Sequence, residues 1–415
     1  MNRTPAAITG IGAVTPLGVG ASTLYERWRD GHCGIEDGVG ECRGFDASEF
    51  MSRKQERRTE RFVQFGLVAS TEATAQAGWD GDRPPYPPER VACVLGVSLG
   101  GTQVMFDQYR TLEERGPDAV WPLTIPVSMP NATPAILAMA HGFRGESRSI
   151  ASACSSSAQA IGEGLRMLRQ DDADAVIVGG SEACLTPFVS AAFKMAGALS
   201  RSGISRPFDR RRDGFVMAEG GGIVILEDPD KARARGAEIL GYVTGYGSTT
   251  DGYHLTAPAE DGEICAAAIG RALFDAGRAP EDVDYVNAHG TSTTGNDRAE
   301  TNALKVALGR RAHEIPVSST KSVVGHSIGG AGAVEAVATL LTLRNRVVPP
   351  TVGLEEPDPD LDLNYVPGAA VRLPGPAGGH DGNGNGNGNG RADRCVAISN
   401  SFAFGGHNAV LVIEA

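Results

Sequence analysis

The sequence has no run of about 18 apolar residues, so it offers no membrane-spanning helix. It has little basic charge to spare: the net charge is −12, which argues against nucleic acid as a partner, because phosphate neutralisation needs a basic surface. Its seven cysteines (Cys33, Cys42, Cys93, Cys154, Cys184, Cys265, Cys395) include no CxxC pair and no Cys/His cluster at metal-ligand spacing. No GK[ST] follows a glycine-rich loop, and "GIGAVTPLG" has Thr15 where a dinucleotide fingerprint needs its third glycine. A nucleotide cofactor is therefore not expected. The first residues lack the charge, apolar core and cleavage order of a secretion signal. With an odd number of scattered cysteines, this leads us to expect a protein of the reducing cytoplasm.

What is present is a 41% hydrophobic, 21% charged chain with 55 glycines, most of them inside apolar runs. This is a soluble globular composition. Strand-like runs such as "AAITGIGAV", "RVACVLGVSLG", "DAVIVGGSEA", "GGIVILED", "RCVAISNSFAFG" and "NAVLVIEA" alternate with helical patterns. The helical patterns cover 58–78, 132–141, 155–169, 263–277, 297–308 and 330–344. Alternation of this kind predicts an α/β fold with helices covering the sheets. "SIASACSSSAQAIGEGLRMLRQ" and "PVSSTKSVVGHSIGGAGAVEAVATLLTL" each read as strand, small-residue turn and helix. The echo suggests a duplicated fold with halves at 1–240 and 241–415. The Gly/Asn repeat at 380–392 reads as a flexible insertion at a surface hairpin tip.

Three places could carry chemistry. Cys154 precedes an apolar stripe (Ala158, Ile161, Leu165, Leu168), which predicts a helix from about Ser155 with Ser155, Ser156 and Ser157 capping its free N–H groups. A cysteine there feels the positive helix end, so its pKa is expected below the free thiol's, about 8.5. The competing reading is a buried structural cysteine. His289 and His326 each sit in a glycine-bounded turn after a strand, where α/β folds gather ligands, although a turn histidine is more often structural. Gly405 and Gly406 allow a turn whose backbone N–H could serve an oxyanion.

Taken in order, "ITGIGAVTPLG", "ACSSSAQAIGEG", "SRPFDRRRDGFVMAEGGGIVILE", "VNAHGTSTTGNDRAET", "SSTKSVVGHSIGGAGAVE" and "NSFAFGGHNA" resemble the elongating β-ketoacyl-acyl carrier protein synthases. These include synthase II and the ketosynthases of type II polyketide pathways. The resemblance implies a thiolase-like duplicated five-layer α-β-α-β-α sandwich. It implies Cys154 as nucleophile, His289 and His326 as the two histidines, and Lys321 and Glu335 as their supports. Thr291 and Thr293 would contact the pantetheine arm, and Phe404 would gate the site and share an oxyanion hole with Cys154. The implied reaction is a decarboxylative Claisen condensation of a Cys-bound acyl chain with malonyl-acyl carrier protein. No metal or organic cofactor is implied, since substrates arrive on the carrier's phosphopantetheine. Loss of His326 is expected to impair decarboxylation more than acylation of Cys154.

The implied partner is an acidic acyl carrier protein. Arg53, Lys54, Arg57, Arg58 and Arg61, in "SRKQERRTER", are candidates to dock it, against a plain solvated helix face. The chain would form a homodimer, or a heterodimer with a chain-length-factor-like subunit. Thr102, Gln103 and Met105 are candidates for the acyl pocket. Cys-Ser-Ser-Ser, Gly197 and His407 depart from the fatty-acid pattern and favour a polyketide pathway, with housekeeping fatty-acid synthesis as the alternative.

Overall fold

A computed structural model describes residues 3–81, 83–373 and 394–415. Ten strands carry the architecture: β1 Ala6–Thr15, β2 Val91–Gly96, β3 Ser147–Ile150, β4 Ala175–Glu182, β5 Gly220–Glu227, β6 Gly241–Thr250, β7 Tyr285–Asn287, β8 Val317–Ser318, β9 Val396–Ala403 and β10 His407–Glu414. Seven helices matter for the site: α1 Arg61–Gln76, α2 Thr102–Arg115, α3 Ser156–Arg169, α4 Pro187–Met195, α5 Glu263–Ala276, α6 Thr294–Leu308 and α7 Ala331–Asn345. The strands run β3-β2-β4-β5-β1-β6-β10-β9-β7-β8, with the short Gly18–Val19 strand folded back on β1.

This order is the same five-strand pattern written twice. In the first half, β1 pairs antiparallel with β5, β5 antiparallel with β4, β4 parallel with β2, and β2 parallel with β3. The second half repeats the senses with β6, β10, β9, β7 and β8. The halves join where Ala6, Ala7 and Ile8 of β1 pair antiparallel with Val243, Tyr242 and Gly241 of β6. Helices α3 and α7 touch each other and strands of both halves, so they form the middle layer. Helix α1 covers the outside of the first half and α5 that of the second, giving five layers. Being enclosed on both sides, α7 is buried along nearly its whole length and is built mostly from Ala, Gly, Val and Leu.

The glycines of β1 and β6 explain how tightly the outer layers pack. A Cβ at Gly10 or Gly12 would lie 1.9 or 2.0 Å from the carbonyl oxygens of Ala73 and Ala69 on α1. A Cβ at Gly247 would lie 2.1 Å from Ala268 O, and one at Gly245 2.3 Å from Ala272 O, both on α5. Each Gly-x-Gly thus lets an alanine-lined helix rest directly on the strand. The "GIGAV" glycines, which fall short of a dinucleotide fingerprint, serve this contact.

The predicted helices fall within a few residues of those observed. The strand β6, "GYVTGYGSTT", was not expected, because its glycines and threonines dilute the apolar alternation. The 380–392 insertion lies outside the described residues. None of the helices among the described residues is long and apolar enough to cross a membrane.

The packing makes a contrast in stability. Gly247→Ala should cost about 2 kcal/mol or more through overpacking. Gly270→Ala, on the same helix layer but with nothing within 4 Å of its Cβ, should be neutral or stabilising by up to about 1 kcal/mol. Denaturant melts of both variants check this; equal effects would contradict the close strand–helix contact.

Candidate active site

Cys154 sits in the turn between β3 and α3, and that turn is latched by hydroxyls. Ser155 Oγ donates to Ser152 O (2.9 Å), Ser156 Oγ accepts from Ser152 N (2.9 Å) and donates to Ala153 O (2.6 Å). Ser157 Oγ accepts from Ala333 N (2.9 Å), tying α3 to the start of α7. The expected capping is therefore corrected: the helix begins at Ser156 with no side-chain cap, and the serines shape the turn. Ala153 is held at φ 51 just before the cysteine, a strained backbone of the kind found at functional sites.

Both histidines converge on that sulfur from the other half. His326 Nε2 lies 3.0 Å from Cys154 Sγ. The rings of His289 and His326 stand edge to face, 5.5 Å apart and at 85°. Cys154 Sγ and one nitrogen of each ring lie within 4.8 Å of one another. Lys321, at the start of a short helical turn, is 1% exposed. It donates to His289 Nδ1 (3.2 Å) and pairs with Glu335 of α7. Glu300 of α6 accepts from His289 N and Gly290 N, both at 2.8 Å, and fixes the backbone of the histidine turn.

Charge follows from burial. Desolvation, and then the Lys321 ammonium, push both histidines well below the ordinary imidazole value of 6.5, so both are neutral near pH 7. Because Lys321 donates to Nδ1 of His289, the ring's proton sits on Nε2, facing the sulfur. Burial also drives Glu335 upward, while Lys321 pulls it back. Cys154 departs from expectation. Burial raises its thiol to about 11, only partly opposed by Lys321 and by the backbone N–H groups of Phe404 and Cys154 itself. Desolvation outweighs the helix end, so the resting sulfur is a thiol hydrogen-bonded to His326.

This proximity shifts the role expected of His326. A ring nitrogen in contact with the sulfur is placed to exchange a proton with it. A Cys-His-His set could also suit a metal, yet a metal-bound histidine usually donates its outer N–H to a carboxylate or carbonyl. Here the outer nitrogen of His289 accepts from a cation instead.

The site opens into a cavity of about 520 Å³ lined by Cys154, His289, His326, Thr291, Thr293 and Phe404, among others. It runs out to exposed Gly197, Thr256 and Gly295. Thr291 and Thr293 hydrogen-bond to each other (2.9 Å) on its wall. Phe404 follows β9 in a tight turn where Gly405 (φ 81) and Gly406 (φ 72) take conformations open to glycine. Phe193 of α4 lies 6.4 Å from the Phe404 ring. Reading the sequence missed Phe193, Phe215, Leu99, Ile328 and Phe402 as lining residues; as scattered hydrophobics they carry no local signal. It also missed Glu300, whose only trace is an acid on a helix 11 residues past His289.

Two groups of candidates lie elsewhere. Thr102, Gln103 and Met105 sit on α2 and do not line the cavity. Gln103 binds Asp107 (2.9 Å), and Met105 is 46% exposed. Leu99 and Ile328 form the wall near Cys154 instead. Arg61 is withdrawn from the docking set: its guanidinium clasps buried Glu219 (2.6 Å) and lies over Phe65. Arg53, Lys54, Arg57 and Arg58 are exposed.

This fold and this site define a thiolase-type condensing enzyme. The β-ketoacyl synthase N-terminal domain model matches residues 38–232 and the C-terminal domain model residues 240–355. The chain belongs to the β-ketoacyl synthase family, acyltransferases that form a carbon–carbon bond. It is 41% identical to 3-oxoacyl-[acyl-carrier-protein] synthase 2 of Synechocystis sp. over 98% of this chain and 97% of that one. It is 36% identical to the synthase 2 of Staphylococcus aureus, with the same coverage. Similar solved structures include an ishigamide ketosynthase/chain length factor (29% identity, TM-score 0.87, 99% of both chains). Another is a type II polyketide acyl carrier protein in complex with its ketosynthase (29%, 0.86, 100% of both chains).

The thiol's state is measurable. In the free protein, alkylation of Cys154 by a neutral haloacetamide should keep rising from about pH 7 to about pH 10, because little thiolate forms below a pKa of about 11. A plateau reached below about pH 8 would show a resting thiolate.

Proposed function

We propose that the protein condenses a Cys154-bound acyl chain with malonyl-acyl carrier protein, and that Cys154, His289 and His326 do the chemistry without a resident cofactor. The observation that carries this is the meeting of one sulfur and two neutral imidazoles at the inner end of a solvent-reaching cavity. As Cys154 Sγ adds to the incoming thioester carbonyl, its proton passes to His326 Nε2. That proton then goes to the departing carrier thiolate. The developing oxyanion takes the N–H groups of Cys154 and Phe404, which already face the sulfur. In the second half, malonyl loses carbon dioxide, and His289 Nε2–H holds the enolate oxygen. The carbanion attacks the acyl-Cys154 carbonyl, the C–S bond breaks, and the sulfur regains a proton through His326. Lys321 and Glu335 hold His289 in the donor tautomer, while Thr291 and Thr293 bind the pantetheine arm.

Arg53, Lys54, Arg57 and Arg58 form the carrier-docking surface, an exposed basic run on an acidic protein. Met105, Tyr109 and Leu112 make an exposed apolar stripe on α2, with Ile125 and Met129 also exposed. Such a stripe on a helix is a subunit interface, and its partner is a second thiolase-type chain, either a copy or a chain-length-factor-like subunit. The native mass of the protein expressed alone decides between the two. Gly197 at the cavity and the Cys-Ser-Ser-Ser turn support a polyketide over a housekeeping fatty-acid substrate. Mass spectrometry of the acyl group retained on Cys154, after offering carrier-bound chains of graded length, tests the substrate directly.

The half-reactions separate the histidines. His289→Ala should slow decarboxylation by about 10²–10³ while Cys154 acylation stays within about ten-fold. His326→Ala should slow acylation, in which its Nε2 takes the thiol proton, more than decarboxylation. Equal loss of both half-reactions in His289→Ala would contradict these roles.

Charge reversal should separate the arginines. Lys54→Glu with Arg57→Glu should raise KM for carrier-bound substrate, more at low salt, and leave kcat unchanged. Arg61→Ala should lower the melting temperature instead, because it leaves Glu219 buried and unpaired. An unchanged KM in the reversal variant would return the run to a solvated face.

A further inference from the structure

Glu182 ends β4 with no exposed surface, and neither the condensation steps nor the relatives above give it a task. Its carboxylate lies where two separate stretches of the cavity wall come together. Oε2 accepts from Ser98 N (2.8 Å), and Oε1 from Gly100 N (2.9 Å). Leu99 N reaches both oxygens, at 3.3 and 3.1 Å. Gly329 N, from the turn just beyond His326, donates as well. Four backbone N–H groups from two stretches, one in each half of the fold, thus converge on one buried carboxyl group, which burial pushes up to about 7 against their pull.

Those stretches contribute to the wall of the cavity that holds Cys154. Ser98 and Leu99 line it from one side and Ile328 from the other, alongside Cys154. Ile328 is a β-branched residue at φ 43, a conformation that persists only where its surroundings impose it. It packs with Cys184, Val189, Phe215 and Met217, and Phe215 stands edge-on to His326 at 5.4 Å. The joint has no slack: a Cβ at Gly329 would lie 2.7 Å from Glu182 Oε2 and 2.6 Å from Ser98 N.

We propose that Glu182 is a positioning residue for acyl transfer, its carboxylate clamping residues 98–100 to Gly329 so that Leu99 and Ile328 hold the acyl chain in line with Cys154. The inference rests on the condensing role proposed above. It predicts a selective defect, because a two-carbon acyl group barely reaches the wall, whereas a long chain depends on it. In Glu182→Gln the amide nitrogen faces N–H donors and cannot accept from them, so the clamp opens on one side. Gly329→Ala strains the same joint from the opposite side and leaves the carboxyl group in place.

The test is single-turnover acylation of Cys154 by thioesters of graded length in the wild-type protein and both variants, with melting temperatures measured in parallel. Glu182→Gln and Gly329→Ala should acylate with the two-carbon unit within about three-fold of wild type. Both should lose about ten-fold or more with the longest chain the wild type accepts. If Glu182→Gln does not fold, Gly329→Ala carries the same prediction. A loss equal at every length, or no loss at any length, overturns the positioning role while leaving the condensing role intact. A wild-type protein that acylates with no chain overturns the condensing role, and this inference with it.

Discussion

One buried ammonium governs the site. Lys321 lies between Glu335 and His289 Nδ1, out of reach of water, and its charge decides which imidazole nitrogen keeps the proton. Without it, His289 could present a lone pair to the cavity instead of a donor. Glu335 in turn keeps that charge from standing alone in a low-dielectric interior, where an unpaired ion costs several kcal/mol. The pair is better understood as fixing a tautomer than as adding stability, since a buried ion pair repays its own desolvation only in part. The same burial and the same cation hold His326 neutral, and a neutral ring beside the thiol can take its proton.

The fold makes this meeting possible by repeating itself. Cys154 comes from the turn after β3 in the first half, while His289 and His326 come from the turns after β7 and β8 in the second. The pseudo-symmetric pairing of β1 with β6, and the shared middle layer of α3 and α7, bring these turns to one point. Ser157 of α3 bonds to Ala333 of α7, so the two middle-layer helices register against each other directly. The glycine contacts of β1 and β6 set the outer layers equally close on both sides.

Much of this could be read in the sequence because the candidate residues lie in local motifs. The cysteine with its small neighbours, the histidines in glycine-bounded turns and the glycine turn after β9 are each contiguous in the sequence, and the structure brings all of them to one cavity. The repeated strand-turn-helix order gave the duplication, although β6 escaped notice because Gly245 and Gly247 serve packing rather than alternation. What the sequence concealed was environment. The helix end at Cys154 promised a thiolate, yet burial reversed the sign, because desolvation depends on residues far away in the chain. Arg61 looked like its basic neighbours until Glu219, 158 positions along, claimed it. Leu99 and Ile328 line the cavity from positions far apart in the chain, a meeting that no local pattern announces.

The central claim is that Cys154 faces two neutral imidazoles, with the proton of His289 on Nε2. Nitrogen-15 NMR of the histidine rings across the pH range in which the protein stays folded tests it most directly. The account predicts that neither His289 nor His326 titrates near the ordinary value of 6.5, and that His289 shows a protonated Nε2 and an unprotonated Nδ1 throughout. A His289 ring that takes up a second proton close to neutral pH, or carries its proton on Nδ1, would contradict the account.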